Sequence, residues 1–363
     1  FRTLQEKLDA LNSCIQEGLV GIRLIKSFVR GDYEEMRFEK RNQQLKEANL
    51  TAMKTMILYT PLMTLALNIT TVVVVWSGGN MIVAGNMQVG DLTAFTNYIV
   101  QIMSSLTMLS IAFLNWARAI ASFRRVGEVL DEKIDLTDEN AKHKDRAVCE
   151  GSVEFQNVSF RYYKNSPEWV IENISFKLEA GKTLGIIGST GSGKSTLVSM
   201  IPRLYDTDEG TVLVDGINVR DYGLKPLREG IGMVLQNNTL FSGSIIENLK
   251  WGDEHADEKA VRKAAQNAQA AGFIDSFKDG YRTRLEQSGN NVSGGQKQRL
   301  CIARALLKCP KILILDDSTS AVDTATERAI REALHSEYKD MTKIIIAQRI
   351  RSVMDADEIL VLD

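Results

Sequence analysis

The sequence predicts two unlike parts in one chain: an α-helical segment that crosses a membrane and, after it, an α/β domain. Three observations carry that expectation. Residues 55–90 and 92–117 contain no Asp, Glu, Lys or Arg. The segments SVEFQNVSF and ISFKLEA read as strands. TLGIIGSTGSGKST passes from an apolar strand through a glycine-rich loop into a helix-like run. The average composition hides this division, because 363 residues at 44% hydrophobic content and a formal net charge of −2 describe ordinary folded protein. That length allows about two domains. Lysines and arginines are spread among acids, which argues against a nucleic-acid partner. Cys14, Cys149, Cys301 and Cys309 lack the paired spacing of a metal or redox site and read as free thiols.

Residues 1–54 read as long, charged, amphipathic helix, with Leu4, Leu8, Leu11 and Ile15 on one stripe and a break at Gly31. TMILYTPLMTLALNITTVVVVW and LTAFTNYIVQIMSSLTMLSIAFLNWA each reach the roughly 20 apolar residues that cross a hydrocarbon core of about 30 Å. Gly78, Gly79 and the stretch from Gly85 to Gly90 are expected to supply the turn between them. Lys46 and Lys54 precede the pair and Arg118, Arg124 and Arg125 follow it, which places both outer ends in the cytosol. A buried helical hairpin in a large soluble protein is the alternative. On the second span Asn97, Gln101, Ser104, Ser105 and Asn115 recur at near-helical spacing, facing either a solvated pathway or a neighbouring helix. Residues 127–148 are polar and acidic without periodicity and read as a linker. The expected domains are therefore 1–126, the helical part, and 149–363, the α/β part. The chain opens on Phe1 and stops just after EILVLD, so it is expected to be a piece of something longer.

In the second part, Gly188, Ser189, Thr190, Gly191, Ser192, Gly193, Lys194 and Ser195 fit the pattern G-x-x-x-x-G-K-[ST] at every fixed position, with Thr196 continuing into the helix. Glycines let consecutive backbone N–H groups wrap an anion, and the following helix presents its positive end to phosphate. Lys194 is placed to reach the β and γ phosphates of a nucleoside triphosphate and the Ser195 hydroxyl to ligate Mg²⁺. Farther on, ILILDD reads as a buried parallel strand that delivers Asp316 and Asp317 at its C-terminal end, where α/β sheets keep their ligands. In NVSGGQKQRLCIARALL, Ser293, Gly294, Gly295 and Gln296 open an amphipathic helix and form a small anion nest without a lysine. Taken alone, that stretch is equally an ordinary glycine-containing N-cap.

Together these motifs resemble the ATP-binding cassette (ABC) proteins, and the resemblance covers essentially the whole chain. The fold class it implies is an α-helical transmembrane segment, a partial bundle, followed by an α/β P-loop ATPase domain of the ABC type. The first 126 residues resemble the second half of an exporter-type membrane domain, of the multidrug or lipid exporter kind, with IKSFVRGDYEE as its cytosolic coupling segment and four earlier spans absent. By resemblance, Tyr162 stacks on adenine, with Tyr163 as a possible substitute. Gln236 senses Mg²⁺, the attacking water and the membrane domain. Asp316 stands on the Mg²⁺ side, and Asp323 in STSAVD belongs to a dimer-contact loop.

Two positions depart from the family pattern. Asp317 stands where a catalytic glutamate is expected, and Gln348 in IIIAQR where a switch histidine is expected. Aspartate is one methylene shorter, a retreat of roughly 1.5 Å from the water it would polarise. Glutamine donates a hydrogen bond but cannot become cationic. Gln287 also replaces a usual acid. Because family members pair head to tail, with each ATP between one phosphate loop and the other signature, the resemblance implies the degenerate-site half of a heterodimeric exporter. Its partner would carry the catalytic glutamate and histidine. The expected cofactors are ATP and Mg²⁺, and the expected setting is a multi-pass protein of a bacterial inner or cell membrane with its nucleotide domain in the cytosol. The cargo would be a small molecule, drug, lipid or peptide. Alternatives are an ATP-gated regulator or channel of ABC ancestry, a homodimeric exporter with slow ATPase, and a soluble ABC ATPase acting on ribosomes or DNA.

Overall fold

The computed structural model describes residues 2–317 and 322–363; the side chains at 2, 55, 56, 59, 60, 107, 110, 111, 114, 117 and 118 lie outside that description. The chain divides into two compact units, Phe1–Glu132 and Lys133–Asp363. The first is helical: α1 (Arg2–Val20), α2 (Ile22–Ser27), α3 (Gly31–Val83) and α4 (Val89–Leu130). Of the predicted amphipathic stripe, Leu11 is buried along with Cys14, while Leu8 and Ile15 stay exposed. Arg37 on α3 pairs with Glu17 on α1.

The break expected at Gly31 falls slightly earlier. Residues 28–30 separate α2 from α3, the left-handed residue is Val29 at φ 53°, and Gly31 is the first residue of α3. The expected turn glycines are also redistributed. Gly78 and Gly79 lie inside α3 and Gly90 inside α4, leaving Gly85, at φ 74°, as the turn residue. Gly78 instead permits close approach of the two helices, since a Cβ there would sit 2.4 Å from Leu92 Cδ1. Asp91, between the two uncharged runs, accepts from the Gln88 N–H at 3.1 Å and so satisfies a free donor at the start of α4.

At 53 residues α3 is about 80 Å long. Its portion Pro61–Val83, with mean hydropathy 1.6, is long and apolar enough to cross a membrane and is only 6% buried. This is the one such stretch among the described residues. The second expected span lies on α4, which is continuous through it.

The second unit contains β1 (Val153–Phe160), β2 (Ile171–Leu178), β3 (Thr183–Gly188), α5 (Lys194–Ser199), β4 (Glu209–Val214), β5 (Ile217–Asn218), α6 (Leu224–Glu229) and β6 (Ile231–Val234). After these come β7 (Gly243–Ser244), α7 (Ile245–Leu249), α8 (Glu258–Asn267), α9 (Ala271–Ser276), β8 (Arg284–Leu285) and α10 (Gly294–Leu307). The chain closes with β9 (Ile312–Asp316), α11 (Thr324–Glu337), β10 (Thr342–Ile346) and β11 (Glu358–Leu362). An antiparallel sheet has the order β2-β1-β4-β5 and a parallel sheet the order β11-β3-β10-β9-β6. All five residues of β9 are buried. Because side chains alternate along a strand, Ile312 and Ile314 join the core that holds Phe155, Leu197 and Tyr222, whereas Leu313 and Leu315 join the core of the helical lobe with Leu249, Val261 and Leu300.

The segment read as a linker, 127–148, is helical to Leu130 and is then fastened to the second unit. Asp138 caps α6 by accepting from Leu224 N–H at 2.9 Å, and His143 N–H donates to the Asp221 carbonyl at 2.7 Å. Just beyond it, the Asp215 carboxylate accepts four consecutive backbone N–H groups, from Cys149, Glu150, Gly151 and Ser152, at 2.7 to 3.1 Å. Such a nest holds an anion firmly.

Candidate nucleotide-binding site

The strand order assembles the site. β3, β10, β9 and β6 are consecutive parallel neighbours, so the residues that leave their C-terminal ends share one edge. These are the glycine-rich loop after β3, Gln348 after β10, Asp316 and Asp317 at the end of β9, and Gln236 after β6.

The loop turns from β3 into α5 through backbone that side chains would obstruct. Gly193 is left-handed at φ 85°, and a Cβ there would lie 2.7 Å from the Val170 carbonyl. At Gly188 a Cβ would lie 2.1 Å from the Leu362 carbonyl. Lys194 arches back across the loop, its Nζ donating to the Gly188 carbonyl at 2.9 Å, to Ser192 Oγ at 3.3 Å and to the Ser189 carbonyl. Thr190 and Gly191 complete the span. Beside it, Tyr162 is half-exposed, and its hydroxyl lies 2.9 Å from Thr196 Oγ1 on α5. Its ring meets Phe160 and Tyr205 edge-on at 5.1 and 5.3 Å. Tyr163 is 79% exposed, so Tyr162 is the tyrosine held against the loop helix.

Asp316 is buried at the end of β9. Burial pushes its carboxyl above the usual range, against the influence of the Ser195 hydroxyl and the Lys194 charge. A carboxylate and a hydroxyl brought together are hard oxygen donors of the kind Mg²⁺ takes, with phosphate and water filling its other positions. Asp317 is also pushed up by burial, opposed first by a hydrogen bond from Gln348 and then by the Lys194 and Arg349 charges. Its partner is the unforeseen feature: Gln348 Nε2 donates to Asp317 Oδ2 at 2.7 Å. Gln236 is exposed, and its carbonyl accepts from Asn238 Nδ2 at 3.5 Å.

Ser293, Gly294, Gly295 and Gln296 form a separate group at the start of α10. Ser293 Oγ accepts from Gln296 N–H at 3.3 Å, and Gln296 Oε1 accepts from Ser293 N–H at 2.9 Å. This reciprocal capping explains the Ser-x-x-Gln spacing and leaves the glycines between them without side chains. Asp323 likewise caps α11, accepting from Thr326 N–H at 3.0 Å. The part of its loop at 318–321 lies outside the described residues.

Comparison with known proteins accords with this arrangement. The family model for the ABC transporter transmembrane region matches residues 1–106, and the ABC transporter model matches residues 171–320. Together these take in more than half of the chain, and the chain belongs to the ABC transporter family, with a helical transmembrane region followed by an ABC ATPase domain. It is 42% identical over 363 residues to the uncharacterized ABC transporter ATP-binding protein YfiB of Bacillus subtilis. It is 39% identical over 367 residues to the uncharacterized ABC transporter ATP-binding protein Rv1273c of Mycobacterium tuberculosis. Each match takes in the whole of this chain but only 62% of the relative's length. Among solved structures, a bacterial Atm1-family ABC exporter with ATP bound superposes with a TM-score of 0.85 at 30% identity, covering 99% of this chain and 64% of that one.

Proposed function

We propose that this chain is the ATP-binding subunit of a heterodimeric ABC exporter, in which its own nucleotide site binds ATP with Mg²⁺ but hydrolyses it slowly. Its signature residues, Ser293 to Gln296, would complete a faster site on a partner that carries the glutamate and histidine missing here. The observation that carries this reading is the pairing of Asp317 with Gln348 at 2.7 Å, beside a phosphate loop whose every fixed position is intact.

In this reading ATP lies along the loop. Tyr162 stacks on the base, the loop N–H groups and Lys194 hold the phosphates, and Ser195 with Asp316 holds Mg²⁺, which offsets phosphate charge. Gln236 is the residue that senses Mg²⁺ and the attacking water. Asp317 is the residue left to orient water, with a carboxylate that is short and already engaged. The setting is a multi-pass protein in a cell membrane with the nucleotide domain in the cytosol. The cargo is a small molecule, drug, lipid or peptide. Support for the exporter direction comes from the likeness to the Atm1-family exporter with ATP bound.

The test is the nucleotide that stays with the transporter. After turnover and rapid washing, this chain is expected to retain mainly triphosphate. Mainly diphosphate there would count against a slow site.

A further inference from the structure

The two residues that depart from the family pattern are hydrogen-bonded to each other, and the backbone is arranged to make that contact. β9 and β10 are parallel neighbours with Asp316 opposite Ile346. One residue past the end of β9, Asp317 turns into the left-handed region at φ 46°, and its N–H donates to the Ile346 carbonyl at 3.1 Å. Position 317 is thus pinned to the end of β10, two residues before Gln348. Aspartate tolerates left-handed backbone better than most residues, because its short polar side chain can bond locally. Here that bond is the 2.7 Å contact from Gln348 Nε2 to Asp317 Oδ2.

We propose that Gln348 is a positioning residue that clamps the Asp317 carboxylate, so that the two departures act as one unit rather than as two separate losses. The proposal rests on the slow-site reading above and deepens it. An ionised carboxylate only accepts hydrogen bonds, and an amide nitrogen only donates them. One carboxylate oxygen is therefore committed to the amide instead of to a water, and an amide hydrogen is committed to the carboxylate instead of to the terminal phosphate. Lengthening the acid alone leaves the amide beside it as a clamp. Replacing the amide alone releases a carboxylate that is still short. Only the joint change delivers a long carboxylate together with a group able to exchange protons, and coupled residues of this kind respond non-additively.

The experiment is a double-mutant cycle on the full transporter with its natural subunits, using Asp317→Glu, Gln348→His and the pair. The transporter is labelled under turnover with photoreactive 8-azido-ATP, this chain is resolved by electrophoresis, and its bound tri- and diphosphate are quantified. Labelling intensity reports binding, and the ratio reports hydrolysis at this chain's own site. Each single change is expected to raise hydrolysis by no more than about threefold and the pair by on the order of 10²-fold, the scale of a positioned general base and well above the product of the single effects. The clamp is overturned if either single change matches the pair, if the two effects simply multiply, or if the pair stays at the unaltered rate. A failure of the slow-site reading is distinct, because it shows in the unaltered chain alone as mainly diphosphate.

Discussion

At the end of β3, Lys194 reaches across its own loop and two glycines occupy backbone that no other residue fits. At the ends of β9 and β10, on the same edge, Asp317 and Gln348 bond each other. In the proposed site one stretch of the edge grips the nucleotide and the adjoining stretch holds the slow hydrolytic pair. On that proposal binding and turnover are separable within a single sheet, and substitutions at the two stretches should fail differently.

The largest effect is expected at the loop. Lys194→Ala removes a charge-assisted contact worth about 1.5–3 kcal/mol, so ATP affinity should fall by roughly ten- to a hundredfold in equilibrium binding. If affinity holds while hydrolysis falls, the division between the two stretches is wrong. Tyr162→Ala should weaken ATP binding by about 1–3 kcal/mol through lost stacking, with Tyr163→Ala having no comparable effect. Equal losses from both would remove the distinction drawn from the Tyr162–Thr196 contact. Gly193→Ala places a Cβ against the Val170 carbonyl in left-handed backbone, a strain of roughly 1–3 kcal/mol. It should lower the unfolding midpoint by several degrees.

The smallest effect concerns pH. Burial alone would raise the Asp206 carboxyl, but hydrogen bonds and charge from Arg203, with Arg220, hold it below the usual range. A depressed folded pKa means that the ionised form is favoured on folding. Its contribution is present at and above the ordinary carboxylate range and is lost as pH falls through the folded value. Asp206→Asn should therefore flatten the loss of stability on acidification, measured by thermal unfolding from neutral pH downward, and an unchanged slope would contradict the assignment.

Much of the second unit was legible because its signals are local. A four-residue apolar run ending on Asp316 became β9, the phosphate-loop spacing became a strand, loop and helix, and Ser293 with Gln296 became a capping box. The Asp317–Gln348 bond was not legible, although both positions were singled out. It depends on which strands are neighbours and on their register, and a sequence gives neither until the sheet order is known. The helical unit was legible in kind and less so in detail. Glycine was expected to mark each break, yet the strained residue near 31 is Val29, and Gly78 serves helix approach instead of a turn. Residues 133–148 carry no periodicity because they are held by scattered caps, such as Asp138 on Leu224, instead of by a repeating face.

In the proposed heterodimer, turnover depends on the site completed by this chain's signature and little on this chain's own acid. The most direct measurement is steady-state ATPase activity of the purified transporter at saturating ATP, comparing Gly294→Glu with Asp317→Asn. Gly294→Glu fills the anion nest and sets a negative charge against the terminal phosphate, and should nearly abolish activity. Asp317→Asn should change it far less. If Asp317→Asn proves as damaging as Gly294→Glu, this chain's own site is the catalytic one and the account is contradicted.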